Sequence, residues 1–314
     1  VFYFGGNGVL AYGMQLPVQS QSTIYAEPWE AGAGIDELTA IARAADEHGF
    51  AYVAVCDHVA IPKPLDQTMG TTWWDTMTTL GYLAGVTDRV RLLSHVYVLP
   101  YRHPLIAAKA FLTLDNASRG RAILGAGAGH VEAEFALLGV DFDQRGRLLD
   151  EAIDVVRAAF RDEFPTVDGP TRPVGDAGLR PRPVQDGGPP IWVGGSSNAA
   201  LRRAAERGDG WLPQGPPAMG MRGAIELIKE RRAAAGKADE PFTFGANTVV
   251  HVGAPTWDVG PCLHGEPDEL AARLRKLSGL GVGQVQLRFR NRSLDELLDQ
   301  MAAFATDVAP QLAG

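Results

Sequence analysis

Short apolar runs, rich in β-branched residues, alternate eight times along this chain with longer amphipathic segments, and this repeat constrains the fold more than any other feature. Runs that are apolar almost throughout suit strands of a parallel sheet covered on both faces, whereas a half-exposed strand would alternate. Strands are predicted at residues 12–17, 51–57, 90–99, 121–125, 190–194, 210–213, 242–252 and 284–289. Helices are predicted at 35–48, 75–86, 104–116, 131–138 with 144–161, 198–207, 222–235, 267–280 and 294–308. In the first helix Leu38, Ile41, Ala42 and Ala45 share one face, and Gly49 stands where a helix-ending glycine belongs. Pro104 opens another helix at the turn where a missing amide costs nothing. Eight such units joined by right-handed crossovers close into an α/β fold, a (β/α)₈ TIM barrel. An open doubly wound sheet is the alternative, but no natural break divides the chain into two halves.

Three longer loops, 60–74, 162–189 and 253–266, are rich in proline, glycine or aspartate. The first and third follow strands, which in a barrel places them on the catalytic face as candidate lids. The second is a long proline-rich insertion before strand five. Residues 1–10 lack the features of a secretory signal and resemble the remnant of an expression tag, so little order is expected there. Residues 11–314 are expected to form one domain.

Composition narrows the function. A net charge of −8 disfavours a bulk nucleic-acid or anionic-membrane binder. No run approaches the roughly 20 apolar residues of a membrane span. Cys56 and Cys262 lie far apart, giving neither a metal spacing nor a disulfide framework. A reducing cytoplasm is the expected location, with Cys56 a buried, inert thiol.

Barrel chemistry sits at the carboxyl ends of the strands. The polar residues predicted there are Gln15, Asp57, His58, Ser94, His95, His130, Glu132, Glu134, His251, Arg288, Arg290 and Arg292. Each histidine also reads as a satisfied core or loop residue. Gly194, Gly195, Ser196 and Ser197 open directly into a helix, which supplies amides, hydroxyls and a positive dipole end for a phosphate. The same four residues also read as a tight turn with a serine cap. The glycine run 125–129 fails the dinucleotide fingerprint at its last glycine. Gly127 and Ala128 are instead expected to let a flat ring approach the backbone. A metal site built from Asp57, His58, His95 and His130 is disfavoured, because strand one has no His-x-His and no strand ends in lysine. There is no Gly-x-Ser-x-Gly elbow either.

Five ordered segments carry a resemblance: Asp57-His58 after AYVAV, SHVYVLPYRHP, LGAGAGH, FDQRGRLLDEAIDVV and PPIWVGGSSNAALRRAAERGDGW. Over roughly residues 12–305 the chain resembles the luciferase-like monooxygenases, in particular the branch of coenzyme F420-dependent oxidoreductases. The resemblance implies a barrel, often a homodimer, that binds F420 or FMN at its carboxyl face. It implies Asp57, Ser94, His95, Val96, Gly127, Ala128, Gly194, Gly195, Ser196 and Ser197 as cofactor contacts. Within this set, 94–96 would hold a bulged, often cis, peptide behind the ring. His58 is implied as acid or proton donor, with His130 the second candidate for contact with a small-molecule substrate. Trp73, Trp74, Trp192 and Trp211 are candidates for the lid side, and Arg290 and Arg292 for an anionic group. Sugar-phosphate dehydrogenases of this branch place a glutamate and an asparagine where this chain has His130 and Ala133. Neither that catalytic pair nor that substrate is therefore carried over, and Glu132 does not take the glutamate's role.

Three readings result. The first is an F420-dependent oxidoreductase that moves hydride to or from a small organic molecule. The second is an FMNH2-dependent monooxygenase served by a partner reductase. The third is a flavin-binding protein without chemistry of its own.

Overall fold

The computed structural model describes residues 3–5 and 9–312. Its strands are β1 (Ala11–Gln15), β2 (Tyr52–Val55), β3 (Arg91–Ser94), β4 (Tyr97–Val98), β5 (Ala122–Gly127), β6 (Ile191–Gly194), β7 (Gly210–Leu212), β8 (Thr243–Val252), β9 (Leu263–Gly265) and β10 (Gln284–Phe289). Every ladder is parallel, running β1-β2-β3-β5-β6-β7-β8, and β10 closes the ring by pairing with both β8 and β1. The fold is thus the expected TIM barrel of eight parallel strands.

Its helices are α1 (Ile35–Glu47), α2 (Asp66–Met69), α3 (Thr76–Val86), α4 (Pro104–Ala117), α5 (Glu132–Leu137), α6 (Arg145–Arg161), α7 (Asn198–Arg207), α8 (Gly220–Ala234), α9 (Pro267–Ser278) and α10 (Leu294–Ala303). All but the short α2, which has no buried residue, pack buried residues on the outside of the barrel. In α1 the buried residues are Leu38, Ile41, Ala42 and Ala45, the face read from the sequence. Among the described residues no helix is long and apolar enough to cross a membrane.

Inside the barrel a separate small core forms from Tyr52, Ala54, Leu93, Ile123, Trp192 and Leu212. Phe4 closes its amino-terminal end. The Phe4 ring lies 5.8 Å from Trp192 and 6.3 Å from Tyr52, and its amide donates to the Thr243 hydroxyl at 2.9 Å. Leu10 is buried as well. Part of the expected disordered leader is therefore floor, because a barrel end lined by large rings gains from one more apolar cover. Residues 1, 2 and 6–8 of that leader lie outside the described residues.

One detail agrees with the cis peptide that the resemblance implies at 94–96 while dividing a strand expected to be continuous, and another adds to an expected loop. The strand expected at 90–99 is broken into β3 and β4 at the cis His95–Val96 peptide, and β4 pairs on its own with β5. The expected lid at 253–266 contains β9, which extends the sheet beside β8. The loop 60–74 does follow a strand, and it is tied to the loop after β1. The Gln21 amide donates to the Thr72 carbonyl and the Trp74 amide to the Gln19 carbonyl. Between α6 and β6 the chain forms no helix and no ladder beyond the Val167–Val174 bridge.

Candidate active site at the barrel mouth

The carboxyl ends of β2, β3, β5 and β6 are neighbours, so residues 57–58, 94–96, 125–130 and 194–197 come together. Val96 joins three of these segments. A Cβ built on Gly127 would lie 2.3 Å from one Val96 methyl carbon, and a Cβ built on Gly194 would lie 2.3 Å from the other. The space these glycines leave is filled by Val96 rather than left open to a ring. Ala128 is half-buried and packs on the outer core.

Asp57 is buried and engaged entirely within the protein. It accepts from both terminal nitrogens of Arg102 (2.6 and 2.7 Å), from the Val98 amide (2.8 Å) and from the Thr76 hydroxyl (3.1 Å). Four donors saturate a carboxylate. The Ser94 hydroxyl is likewise spent, donating to the Gly125 carbonyl and accepting from the Gly125 amide. The partners of both residues hold the mouth of the barrel in shape.

His58 is different. Its Nδ1 lies 2.8 Å from Oε2 of Glu134, a carboxylate with no exposed side-chain surface. Glu134 also accepts from the Tyr101 hydroxyl (2.8 Å) and from the amides of Val59 (2.5 Å) and Ala60 (3.1 Å). Burial pushes the Glu134 carboxyl up. The hydrogen bond and charge of His58, with the two amides, outweigh that and hold it below the ordinary glutamate range. Burial and the neighbouring Glu134 raise the Tyr101 phenol, so it stays protonated and donates. An ionised Glu134 fixes the His58 tautomer with hydrogen on Nδ1, leaving Nε2 as the reactive nitrogen. The imidazole packs against Trp73 (4.4 Å between ring centroids) and lies 5.7 Å from His130. His130 stands at the rim with its edge open to solvent, while the protein around its ring partly desolvates it and, with the His58 charge, lowers its pKa.

His95 is buried between strands. Its Nδ1 meets the Gln286 side-chain nitrogen at 2.9 Å, while its Nε2 is buried without a partner. Burial and then the Arg288 charge push its pKa down to about 4, so it is neutral. His251 lies apart from His58, against the Arg290 carbonyl and the Trp257 ring.

The Gly194–Ser197 turn keeps the features of an anion site. Gly195 has φ +107°, a conformation glycine takes without strain. Ser197 caps α7 by accepting from the Ala200 amide, and Ser196 donates to the Gly215 carbonyl. The remaining first-turn amides of α7 have no partner within the helix. Among the described residues no three His, Cys, Asp or Glu are placed to hold a metal.

Several sequence expectations are redistributed. Arg290 pairs with Glu27 at 2.9 Å and Arg292 with Glu296 at 3.0 Å, so neither is free for an anion. Of the four tryptophans, Trp73 reaches the mouth, Trp192 lies in the floor and Trp211 is buried in the outer core. Tyr101 and Gln286 were not singled out from the sequence, and Glu134 stood among the polar residues near strand ends without a role of its own. Only the strand-end position of Gln286 and the nearness of Glu134 to the glycine run could have pointed to them.

The family model for luciferase-like monooxygenases matches residues 11–258, and the chain belongs to that family. An uncharacterised protein of Mycobacterium tuberculosis is 30% identical over 289 residues, spanning 87% of this chain and 93% of that one. An F420-dependent glucose-6-phosphate dehydrogenase of Beutenbergia cavernae is 34% identical over 179 residues, 56% of this chain and 52% of that enzyme. An FMNH2-dependent dimethylsulfone monooxygenase of Pseudomonas putida is 26% identical over 179 residues, 56% and 48% of the two chains. Among solved structures, a monooxygenase from Streptomyces bottropensis superposes with TM-score 0.81 at 23% identity, over 97% of this chain and 100% of that one. The coenzyme F420-dependent tetrahydromethanopterin reductase of Methanopyrus kandleri gives 0.75 at 18%, over 97% and 99%. At such identities the structures establish the fold. The family thus contains F420-dependent and FMN-dependent oxidoreductases and monooxygenases.

Proposed function

We propose that this protein is an F420-dependent oxidoreductase that transfers hydride between the deazaflavin and a small organic substrate. The observation that carries the reading is the buried Glu134 carboxylate beneath His58. It gives one mouth imidazole a fixed tautomer with Nε2 free to hold or deliver a proton. The greater identity to the F420-dependent dehydrogenase than to the FMNH2-dependent monooxygenase supports the choice of cofactor.

The α7 turn fits the phosphate of such a cofactor through the Ser197 hydroxyl and the open first-turn amides, while the Gly195 amide and the Ser196 hydroxyl already donate to the Leu212 and Gly215 carbonyls and shape the turn. When bound, the cofactor supplies the hydride chemistry. The chain's own part is to position and to move protons. Glu134 and Tyr101 hold His58, and His58 Nε2 gives or takes the proton at the substrate atom that gains or loses charge. Trp73 shields one side of the imidazole from water, and Val96 stiffens the wall between β5 and β6.

The test is direct titration of apoprotein with F420 and with FMN. Binding of F420 in the micromolar range, at least tenfold tighter than FMN, supports the reading. The reverse preference would select the FMNH2-dependent monooxygenase, with its partner reductase. Sedimentation of the loaded protein tests the homodimer we propose with it.

A further inference from the structure

Arg288 is the arginine at the end of β10 that has no counter-ion. Along β10 one face presents Gln284, Gln286 and Arg288, since alternate residues point the same way. Gln284 accepts from the Tyr52 hydroxyl in the barrel floor, and Gln286 meets His95 higher up. Arg288 therefore lies on the inner side at the mouth. Its guanidinium donates to the Tyr25 carbonyl at 3.2 Å and lies 4.5 Å from the Tyr25 ring centroid. Among the described residues no carboxylate comes within ion-pair distance of it. The neighbouring acids have other partners: Glu27 pairs with Arg290, and Glu30 accepts from the amides of Val18 and Glu27.

His95 supplies the second observation. Its Nδ1 accepts from the Gln286 amide, so the proton of the neutral ring sits on Nε2. That N–H is buried and has no acceptor, in a residue only 5% exposed. Native proteins seldom leave such a donor unmet. A guanidinium and an orphaned N–H set beside successive inward residues of β10 both call for a ligand oxygen, and the charged donor calls for an anionic one. Gln286, which holds the His95 ring, and Arg288 are successive residues on one face of β10, which sets the two groups at neighbouring levels of the barrel.

We propose that Arg288 and the His95 Nε2–H hold a carboxylate of the substrate, which makes this enzyme selective for organic acids. The proposal rests on the oxidoreductase reading only in calling the ligand a substrate. It needs no phosphate-binding lysines and is independent of the α7 turn.

The test compares matched probes, benzoate with benzamide and butyrate with butyramide, by calorimetry and thermal shift on apoprotein and on cofactor-loaded protein. The expected result is at least tenfold tighter binding of each acid than of its amide. Arg288→Gln should abolish that preference, Arg288→Lys should keep part of it, and His95→Gln should weaken the acids several-fold. Cofactor affinity should stay within twofold in Arg288→Gln. Equal binding of acid and amide by the wild type would overturn the proposal, as would an unchanged preference in Arg288→Gln. A loss of cofactor affinity in that variant would also overturn it, because the anion would then belong to the cofactor. Should neither F420 nor FMN bind, the oxidoreductase reading fails, while the apoprotein comparison still decides the carboxylate site. Melting temperatures of the variants check that they fold.

Discussion

Asp57→Asn keeps the side-chain shape and removes the charge. Four donors converge on the native carboxylate, two of them from Arg102. An asparagine accepts at one oxygen only, so its amide nitrogen must face a donor. Arg102 would then keep the Val98 carbonyl and the faces of Tyr97 and Tyr101, but no anion. Removing one partner of a buried ion pair costs about 3–5 kcal/mol. The Arg102 side chain retains 16% exposure, so water offsets part of the loss and we expect about 3 kcal/mol. Urea unfolding at pH 7, followed by fluorescence, measures this. The double variant Asp57→Leu with Arg102→Leu should recover at least half, because an apolar pair leaves no stranded charge. The refuting result is an unfolding midpoint within about 0.5 kcal/mol of wild type together with a lost cofactor affinity. Asp57 would then be a ligand residue, as the sequence alone suggests, and its bonds to Arg102 would be incidental.

Four further outcomes are expected. His58→Ala should lower turnover about 10²–10⁴-fold, the usual worth of a general acid–base group; Glu134→Gln should lower kcat by about 10–100-fold with KM little changed, read by steady-state kinetics. Because His95 has its pKa pushed from 6.5 to about 4, the unfolded chain binds a proton that the folded one refuses; stability should fall as pH drops from 6.5 towards 4, by about 3 kcal/mol in total. Urea midpoints across that range should show this part of the slope missing in His95→Gln. Gly127→Ala drives a methyl group into Val96 and should cost about 1–3 kcal/mol, with Val96→Ala restoring most of it in the double variant; a neutral single substitution counts against the packing described.

The barrel was legible because its strands are covered on both faces and so stand out as apolar runs. The break between β3 and β4 was legible only through the resemblance, which implies a bulged, often cis, peptide at 94–96, since Ser94, His95 and Val96 carry no turn residue to mark it. Among the site residues, position was legible and direction was not. Asp57 and Ser94 do stand at strand ends, but Arg102 and the Gly125 backbone claim their side chains. Glu134 stood in the sequence only as one of two acids just beyond the glycine run. Its partner lies 76 residues away in sequence, a contact no local pattern encodes. The three arginines of β10 and the loop that follows looked equivalent, because only folding assigns Glu27 and Glu296 to two of them and none to the third.

The plug of Phe4, Tyr52 and Trp192 fills the amino-terminal end of the barrel, so among the described residues approach is left to the carboxyl end. Under the function proposed above, two guests that dock at that mouth share one approach. Initial-rate patterns then report whether the guest seated deeper arrives first and leaves last.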